Sequence, residues 1–301
     1  MRQRLEYFAA WLILKTMGLL PRPLARATGA MFARIAYRFR KPLRRAADFN
    51  LRLAFPDWTE EQRRATIQKL VRNIGWMGGE FTQFPKYTRE NIGEVIEFDG
   101  NENYIEAVNR GKGVLFLTGH MGPWELSSFA HAVYGYPCYF LARPIENRRV
   151  DALVNRYRCL SGCQMIDKND SARAMLRILK SGGVLGVLAD QNTSLDEGVF
   201  VPFFGILACS TAGLAKLALR TGAAVVPGYA YWDDSRHKYI LHFEPAVELT
   251  QTGDEDADIR ANTAKFMKVI ENFARAHPDQ WLWVHKRWKT RPPGEKAIYP
   301  F

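Results

Sequence analysis

The chain has 301 residues, 47% of them hydrophobic and 13% aromatic, with a formal net charge of +11. That is enough apolar material for a substantial core, and it excludes disorder for most of the length. The charge is placed unevenly: residues 1–45 carry eleven basic side chains against the single acid Glu6, a net of +10, whereas the remaining 256 residues are almost neutral at +1. Cys138, Cys159, Cys163 and Cys209 lack the pair-of-pairs spacing of a zinc site, and no nearby histidine completes a set. Cys159 and Cys163, at i and i+4, would share a helix face; reduced thiols in a cytoplasmic compartment are expected.

The N-terminal run Leu5 to Leu20 is apolar on almost every side, interrupted by Glu6 and Lys15. At about 16 residues it falls short of the roughly 20 that span a bilayer. After Pro21 and Pro23, one stripe holds Leu24, Ala27, Met31, Ile35 and Phe39, and another holds Arg22, Arg26, Arg34 and Arg38. This is the pattern of a basic amphipathic helix on an anionic membrane surface, with the basic flanks favouring a cytoplasmic body. A helical hairpin packed into the core is the alternative. The interrupting charges and the lack of a small-residue cleavage site argue against a signal peptide. The division expected is therefore 1–45 as membrane-associating helices and 46–301 as one α/β domain.

Thr59-Glu60-Glu61-Gln62 forms a capping box that opens a helix running towards Phe84, in which Gly75, Gly78 and Gly79 permit close packing or a kink. From Val95 onwards strands and helices alternate. Strands are expected at Val95–Phe98, Val114–Thr118, Cys138–Ala142, Val184–Ala189, Ala223–Tyr231 and Tyr239–Phe243. Helical patterns fall at Glu102–Asn109, Trp124–Tyr134, Arg149–Leu160, Ser171–Lys180, Thr211–Thr221 and Ile259–Ala276. The alternation predicts an α/β fold, a central sheet covered by helices.

The segment Gly119-His120-Met121-Gly122-Pro123-Trp124-Glu125-Leu126 crosses from a strand to a helix. His120 falls at the carboxyl end of the strand, where α/β sheets tend to place their chemistry. Glu125, in the first turn of the helix, can fold back towards the imidazole, and an imidazole oriented by a carboxylate is a general base for a hydroxyl. Spacing alone is weak support, since roughly 0.6 chance matches to His-x-x-x-x-acid are expected in such a chain. A histidine merely hydrogen-bonded at a strand end is the competing reading.

Other segments put polar groups beside turns. Pro144 forces Arg143 into an extended conformation, from which it can hold an anionic or carbonyl group or simply face solvent. Asp190, Gln191 and Asn192 end an apolar strand, where a carboxylate can orient a catalytic group or cap a turn. Val201-Pro202-Phe203-Phe204-Gly205 reads as an apolar loop that lines an acyl groove or plugs a core. Trp281 to Arg291 interleaves tryptophans with basic residues, as nucleic-acid and membrane-interface segments both do.

GHMGPWEL, LARPIEN, LADQN, VFVPFFG, the Val225-Val226-Pro227 strand and QWLWVHKRWKTRPPGE together resemble the bacterial lipid A late acyltransferase family, within the lysophospholipid and glycerolipid acyltransferase superfamily. The blocks come in that family's order over about Asn50 to Glu295. The resemblance implies a glycerolipid acyltransferase-like mixed sheet and a membrane enzyme that moves a fatty acyl chain from a thioester to a lipid hydroxyl. His120 and Glu125 match its catalytic pair. Arg143, Asn147, Asp190, Gln191, Phe203, Phe204 and Gly205 fall in its later blocks as substrate-binding candidates. Pro123 departs from the family's usual residue between the pair.

The implied donor is acyl carrier protein or acyl-CoA, the acceptor a lipid A precursor, and the place the cytoplasmic face of the bacterial inner membrane. No metal or redox cofactor and no nucleic acid is called for. A different glycolipid acceptor, such as a phosphatidylinositol mannoside, and a non-catalytic membrane or nucleic-acid binder are the alternatives.

Overall fold

The computed structural model describes residues 1–166 and 171–301. Three helices lead the chain: α1 (Arg2–Leu19), α2 (Arg22–Phe39) and α3 (Lys41–Ala54), so a boundary at residue 45 would fall inside α3. The long helix α4 (Glu60–Gln83) opens on the capping box, with Thr59 N–H donating to Gln62 Oε1 at 2.8 Å and Gln62 N–H to Thr59 Oγ1 at 3.2 Å.

Small residues fix how α2 meets α4. A Cβ on Gly75 would lie 2.4 Å from Ala30 Cα and 2.5 Å from the Gly29 carbonyl oxygen, so the two backbones touch only because Gly75 has none. Ala25, Gly29 and Ala30 therefore face the body, while Leu24, Met31, Ile35 and Phe39 are exposed. Two arginines expected on the basic stripe turn inward instead. The Arg26 guanidinium lies between Trp76 and Trp232, 3.8 and 4.0 Å from their ring centres. Arg22 pairs with the fully buried Glu80 at 2.8 Å, and Tyr87 donates its hydroxyl to the same carboxylate. The clamp explains why Arg26 is buried and Arg22 half-buried: each cation has found an aromatic or anionic partner inside. Arg34 and Arg38 stay exposed. No helix among the described residues is long and apolar enough to cross a membrane.

The α/β body follows. Its strands are β1 (Ile96–Asp99), β2 (Val114–Thr118), β3 (Tyr139–Phe140), β4 (Gln164–Met165), β5 (Val184–Leu188), β6 (Gly198–Phe203), β7 (Ile206–Thr211), β8 (Ala224–Asp233) and β9 (Lys238–Phe243). The helices are α5 (Asn101–Asn109), α6 (Trp124–Val133), α7 (Arg148–Arg158), α8 (Ser171–Lys180), α9 (Gly213–Thr221) and α10 (Glu255–Ala276). Seven strands form one mixed sheet in the order β1-β9-β8-β2-β5-β3-β4, parallel throughout except for the β8–β9 hairpin. One core lies on each face. Leu115, Leu117, Leu185 and Ala189 pack towards α9 and α10, while Val114 and Val184 pack towards α5 and α6 with Tyr104, Leu126 and Phe129.

Two expectations fail locally. The strand expected over 138–142 is only two residues long, because Leu141 and the Arg143-Pro144 segment leave the ladder. The segment expected as an apolar loop is a separate antiparallel hairpin, β6–β7, turning on Phe204 and Gly205 with φ of +52° and +76°. Two consecutive left-handed residues are what a two-residue hairpin turn requires.

Candidate active site

His120 and Asp190 are brought together by strand register. β2 and β5 run parallel, with Thr118 paired to Leu188, and each of the two residues lies two positions past that pair. Gly119 makes room between them, since a Cβ there would stand 3.0 Å from Asp190 Oδ2. His120 Nδ1 and Asp190 Oδ1 are 2.8 Å apart. Asp190 Oδ2 accepts the His120 backbone N–H at 2.8 Å and the Trp281 indole N–H at 2.8 Å. Nε2 of His120 meets the side-chain nitrogen of Gln191 at 3.2 Å. With an ionised carboxylate on Nδ1, that nitrogen carries the proton; Nε2 is then a lone pair accepting from Gln191, the tautomer a base needs.

Electrostatics agree with this arrangement. Burial works against the imidazolium, but the Asp190 charge and hydrogen bond outweigh it, and the His120 pKa lies above its ordinary value. Burial likewise works against an ionised Asp190, yet the imidazole, the backbone amide and the indole hold its pKa below the usual carboxylate range. Trp124 stands edge-on to the imidazole with ring centres 5.2 Å apart.

Glu125 does not take the place expected for it. Its carboxylate receives both ends of the Arg158 guanidinium, with Arg158 Nε donating to Oε2 at 2.8 Å, and the Nδ1 position belongs to Asp190. Arg158 was not visible as a site residue in the sequence. Its signal is its place at the end of α7, facing the first turn of α6, which only the fold supplies. Glu125 still adds to the field that favours the imidazolium, after Asp190.

The dyad opens into a cavity of about 340 Å³ between α6 and the sheet. Phe116, Phe140, Val184 and Leu188 supply apolar walls, and Glu125, Arg143 and Arg158 line it as well. His131 lines the same cavity and is buried, which drives its pKa down to about 3 and keeps it neutral.

The other predicted residues divide. Gln191 sits on the imidazole. Asn147 is buried away from the cavity walls: its Oδ1 accepts the Arg149 N–H at 3.0 Å as the cap of α7, and its Nδ2 donates to the Gln3 carbonyl at 2.9 Å and to Glu6 at 2.8 Å in α1. Phe203 and Phe204 are plugs. Phe203 packs on Trp281 and Trp288, Phe204 on Phe55 and Trp283, and the hairpin tip at Gly205 stands apart from the cavity. Cys159 and Cys163 do not share a helix face, since the helix gives way to a 3-10 turn; Cys163 instead lies 3.4 Å from Cys138.

The tryptophan-rich C-terminal segment is internal. Trp281, Trp283, Trp288 and Arg287 are at most 1% exposed, so these tryptophans form no membrane belt, and Lys289 alone of the segment's cations is exposed. The segment holds the turn after β5 residue by residue. Trp281 binds Asp190; Arg287 Nη1 donates to the Gln191 carbonyl at 3.4 Å and the Cys209 carbonyl at 2.8 Å. Asn192 N–H donates to His285 Nε2 at 3.0 Å, and Thr290 N–H donates to Asn192 Oδ1 at 2.8 Å. The same segment pairs with the His120 loop, through Leu282 N–H to the His120 carbonyl at 3.0 Å and Gly122 N–H to the Gln280 carbonyl at 2.8 Å. Both halves of the dyad are thus held by one stretch of chain.

The model of the bacterial lipid A biosynthesis acyltransferase family matches residues 2–290. The chain belongs to this family. It is an acyltransferase, and full-length relatives agree. It is 29% identical to the lipid A biosynthesis lauroyltransferase of Escherichia coli strain K12 over 98% of this chain and 95% of the relative. It is 26% identical to a lipid A biosynthesis acyltransferase of Haemophilus influenzae over 96% and 90%. The Escherichia coli palmitoleoyltransferase of the same pathway is 27% identical over 98% and 95%. Within this lipid A acyltransferase family, the His120 dyad and its cavity are the arrangement whose chemistry must be accounted for.

Proposed function

We propose that the protein is a membrane-associated O-acyltransferase that moves a fatty acyl chain from a thioester of acyl carrier protein, or from acyl-CoA, to a hydroxyl of a lipid A precursor. One observation carries the reading: an imidazole fixed by a buried carboxylate at Nδ1 turns Nε2, met by the Gln191 amide, to a cavity with apolar walls and a charged edge. His120 Nε2 takes the proton of the acceptor hydroxyl, displacing the Gln191 amide, as the oxygen attacks the thioester carbonyl carbon. Asp190 holds the tautomer and stabilises the imidazolium that forms. The tetrahedral intermediate collapses with cleavage of the carbon–sulfur bond, and the departing sulfur takes the proton from Nε2.

Backbone amides of the first turn of α6 are the oxyanion donors this mechanism uses. Pro123 gives that turn no side-chain cap, whereas the amides of Met121 and Gly122 are already bonded to the Gly119 and Gln280 carbonyls. Glu125 and Arg158 form a charged lip on the cavity wall, where a polar acceptor headgroup or the thioester arm passes, and Arg143 stands exposed on the same wall.

The N-terminal helices supply the membrane contact in this reading, on the cytoplasmic face of the inner membrane. Leu5, Phe8, Leu12, Leu24, Met31 and Phe39 are exposed apolar side chains, accompanied by Arg34 and Arg38. Asn147 ties α1 directly to the loop between Arg143 and α7, through the Gln3 carbonyl and the Glu6 carboxylate.

The test is incubation of the purified protein with labelled acyl carrier protein thioesters and lipid A precursors, followed by product mass. An added acyl mass on the precursor is expected, falling by about 10²–10⁴-fold in His120→Ala. Near-normal transfer by a folded His120→Ala variant sinks the assignment of the base.

A further inference from the structure

Acyl transfer between lipids brings two hydrocarbon chains to one oxygen, and the cavity beside α6 has room for part of one of them. A second cavity, of about 320 Å³, lies on the opposite face of the sheet at the same strand. Val184 lines the first, Leu185 and, just past β5, Ala189 line the second, and Gly186, Val187 and Leu188 line both; α8 and α9 close the second with Met175, Leu214 and Leu217.

The cavities meet at the end of β5. Leu141, Leu188 and Gln191 line both, and Gln191 is the residue on His120 Nε2. They can meet because β3 is short: it pairs with Leu185 and Gly186 only, so the edge of β5 at Val187 and Leu188 is uncovered. Leu141 and Leu188, at 45% and 40% exposed, form the ridge between the two spaces.

We propose that the trough between β5 and the α8–α9 pair is the subsite for an acyl chain of the acceptor lipid, the chain nearest the hydroxyl that is acylated. Chemistry and shape both select that occupant. Among the described residues no charged side chain lines the trough, so it suits hydrocarbon and not a phosphate or the carrier arm. Its rim is open, with Gly213 exposed and Gln191, Asn192, Thr193 and Thr211 half-buried, which suits one chain of a lipid whose other chains stay in the bilayer. The α6 cavity, which has buried Val184 and His131 among its walls, then takes the donor chain. With the two chains so placed, the acceptor oxygen and the thioester carbonyl converge at Gln191 and Nε2.

The inference rests on the acyltransferase mechanism above. Met175→Phe and Leu217→Phe reduce the trough, and Ser128→Phe reduces the α6 cavity. Steady-state kinetics with a lipid A precursor and acyl carrier protein thioesters of several chain lengths are expected to separate them. The trough variants raise the acceptor KM by about tenfold, the equivalent of about two methylenes of lost burial, with an unchanged donor chain-length profile. Ser128→Phe shortens the preferred donor chain. Trough variants that alter donor length preference, or that leave acceptor KM unchanged while folded, overturn the proposal.

Photolabelling of the wild-type protein with a lipid A precursor bearing a diazirine on its hydroxylated chain decides the matter independently of turnover. Label on the peptides of Met175, Leu214 and Leu217 supports the trough; label confined to α6 and β3 refutes it. A protein that labels at the trough but forms no acylated product would refute the transfer reaction and keep the binding site.

Discussion

Asp190 reaches Nδ1 of His120 across two neighbouring parallel strands, from a position 70 residues further along the chain. The contact sets the sign of the pH dependence. Burial alone lowers the pKa of an imidazole, and here the Asp190 charge reverses that and raises it. With His120 as the proposed base, active when neutral, transfer is expected to fall as pH drops through this raised pKa. Asp190→Asn removes the charge and leaves the burial, so the acid limb of kcat/KM moves to lower pH. The plateau falls by about 10²–10⁴-fold, because the amide no longer fixes the tautomer or stabilises the imidazolium. An unmoved limb would deny Asp190 its role.

Glu125 and Arg158 give a contrasting result. Glu125→Gln weakens the field at His120 by less than Asp190→Asn does, so its acid limb shifts in the same direction but less far. Its main effect falls on the Arg158 guanidinium, which loses a two-point partner. We expect a raised KM for lipid or thioester and a stability loss of about 1.5–3 kcal/mol in urea titration, the usual worth of hydrogen bonds to a charged group. A limb displaced as far as in Asp190→Asn would restore Glu125 as the orienting acid.

The sequence exposed one half of this dyad readily. His120 is legible because β2 is a short apolar run ended by Gly119, and α6 begins at Trp124 beside Pro123. Its partner is not, because a five-residue spacing points to Glu125, whereas parallel pairing of β2 with β5 points to Asp190, and pairing is a non-local fact. Asp190-Gln191-Asn192 stood out as a polar strand end, without an indication of what it faces.

Most strands and helices were legible from their periodicity, as with β2, α8 and the long helix opened by Thr59. The β6–β7 hairpin was not: Pro202 and Phe203-Phe204 obscure its alternation, and its turn lacks the Asn-Gly signal. The tryptophan-rich end misled for another reason. Tryptophan beside arginine reads as a surface pattern, yet Arg287 is buried because the Gln191 and Cys209 carbonyls and the Ser210 hydroxyl receive it.

That buried segment should matter to catalysis without touching substrate. Trp281→Phe keeps most of the ring packing and deletes the N–H that Asp190 Oδ2 accepts. A hydrogen bond to an ionised group is worth about 1.5–3 kcal/mol, so kcat should fall about tenfold or more with little change in KM. Arg287→Met removes the guanidinium donors to the Gln191 and Cys209 carbonyls and to the buried Ser210 hydroxyl, each hydrogen bond from a charged group being worth about 1.5–3 kcal/mol. Its urea midpoint should fall well below that of the wild type, and Arg287→Lys should recover part of the loss. A wild-type midpoint for Arg287→Met would show that the cation does not hold this turn.

Gly75 and Gly78 lie three residues apart on α4 and should respond to alanine with opposite signs. At Gly75 the new methyl would meet Ala30 Cα at 2.4 Å and the Gly29 carbonyl at 2.5 Å, backbone atoms that yield only if α2 moves away. Overpacking of this kind costs about 1–3 kcal/mol. It should also loosen the Arg26–Trp76–Trp232 sandwich, which depends on the same approach of α2 to α4. At Gly78 a methyl meets nothing within 4 Å, so Gly78→Ala gains about 0.5–1 kcal/mol from helix propensity alone. Thermal melts of the two variants in one detergent should bracket the wild type, with Gly75→Ala below and Gly78→Ala above. Equal midpoints would mean that α2 does not pack against α4 as closely as Gly29 and Gly75 require.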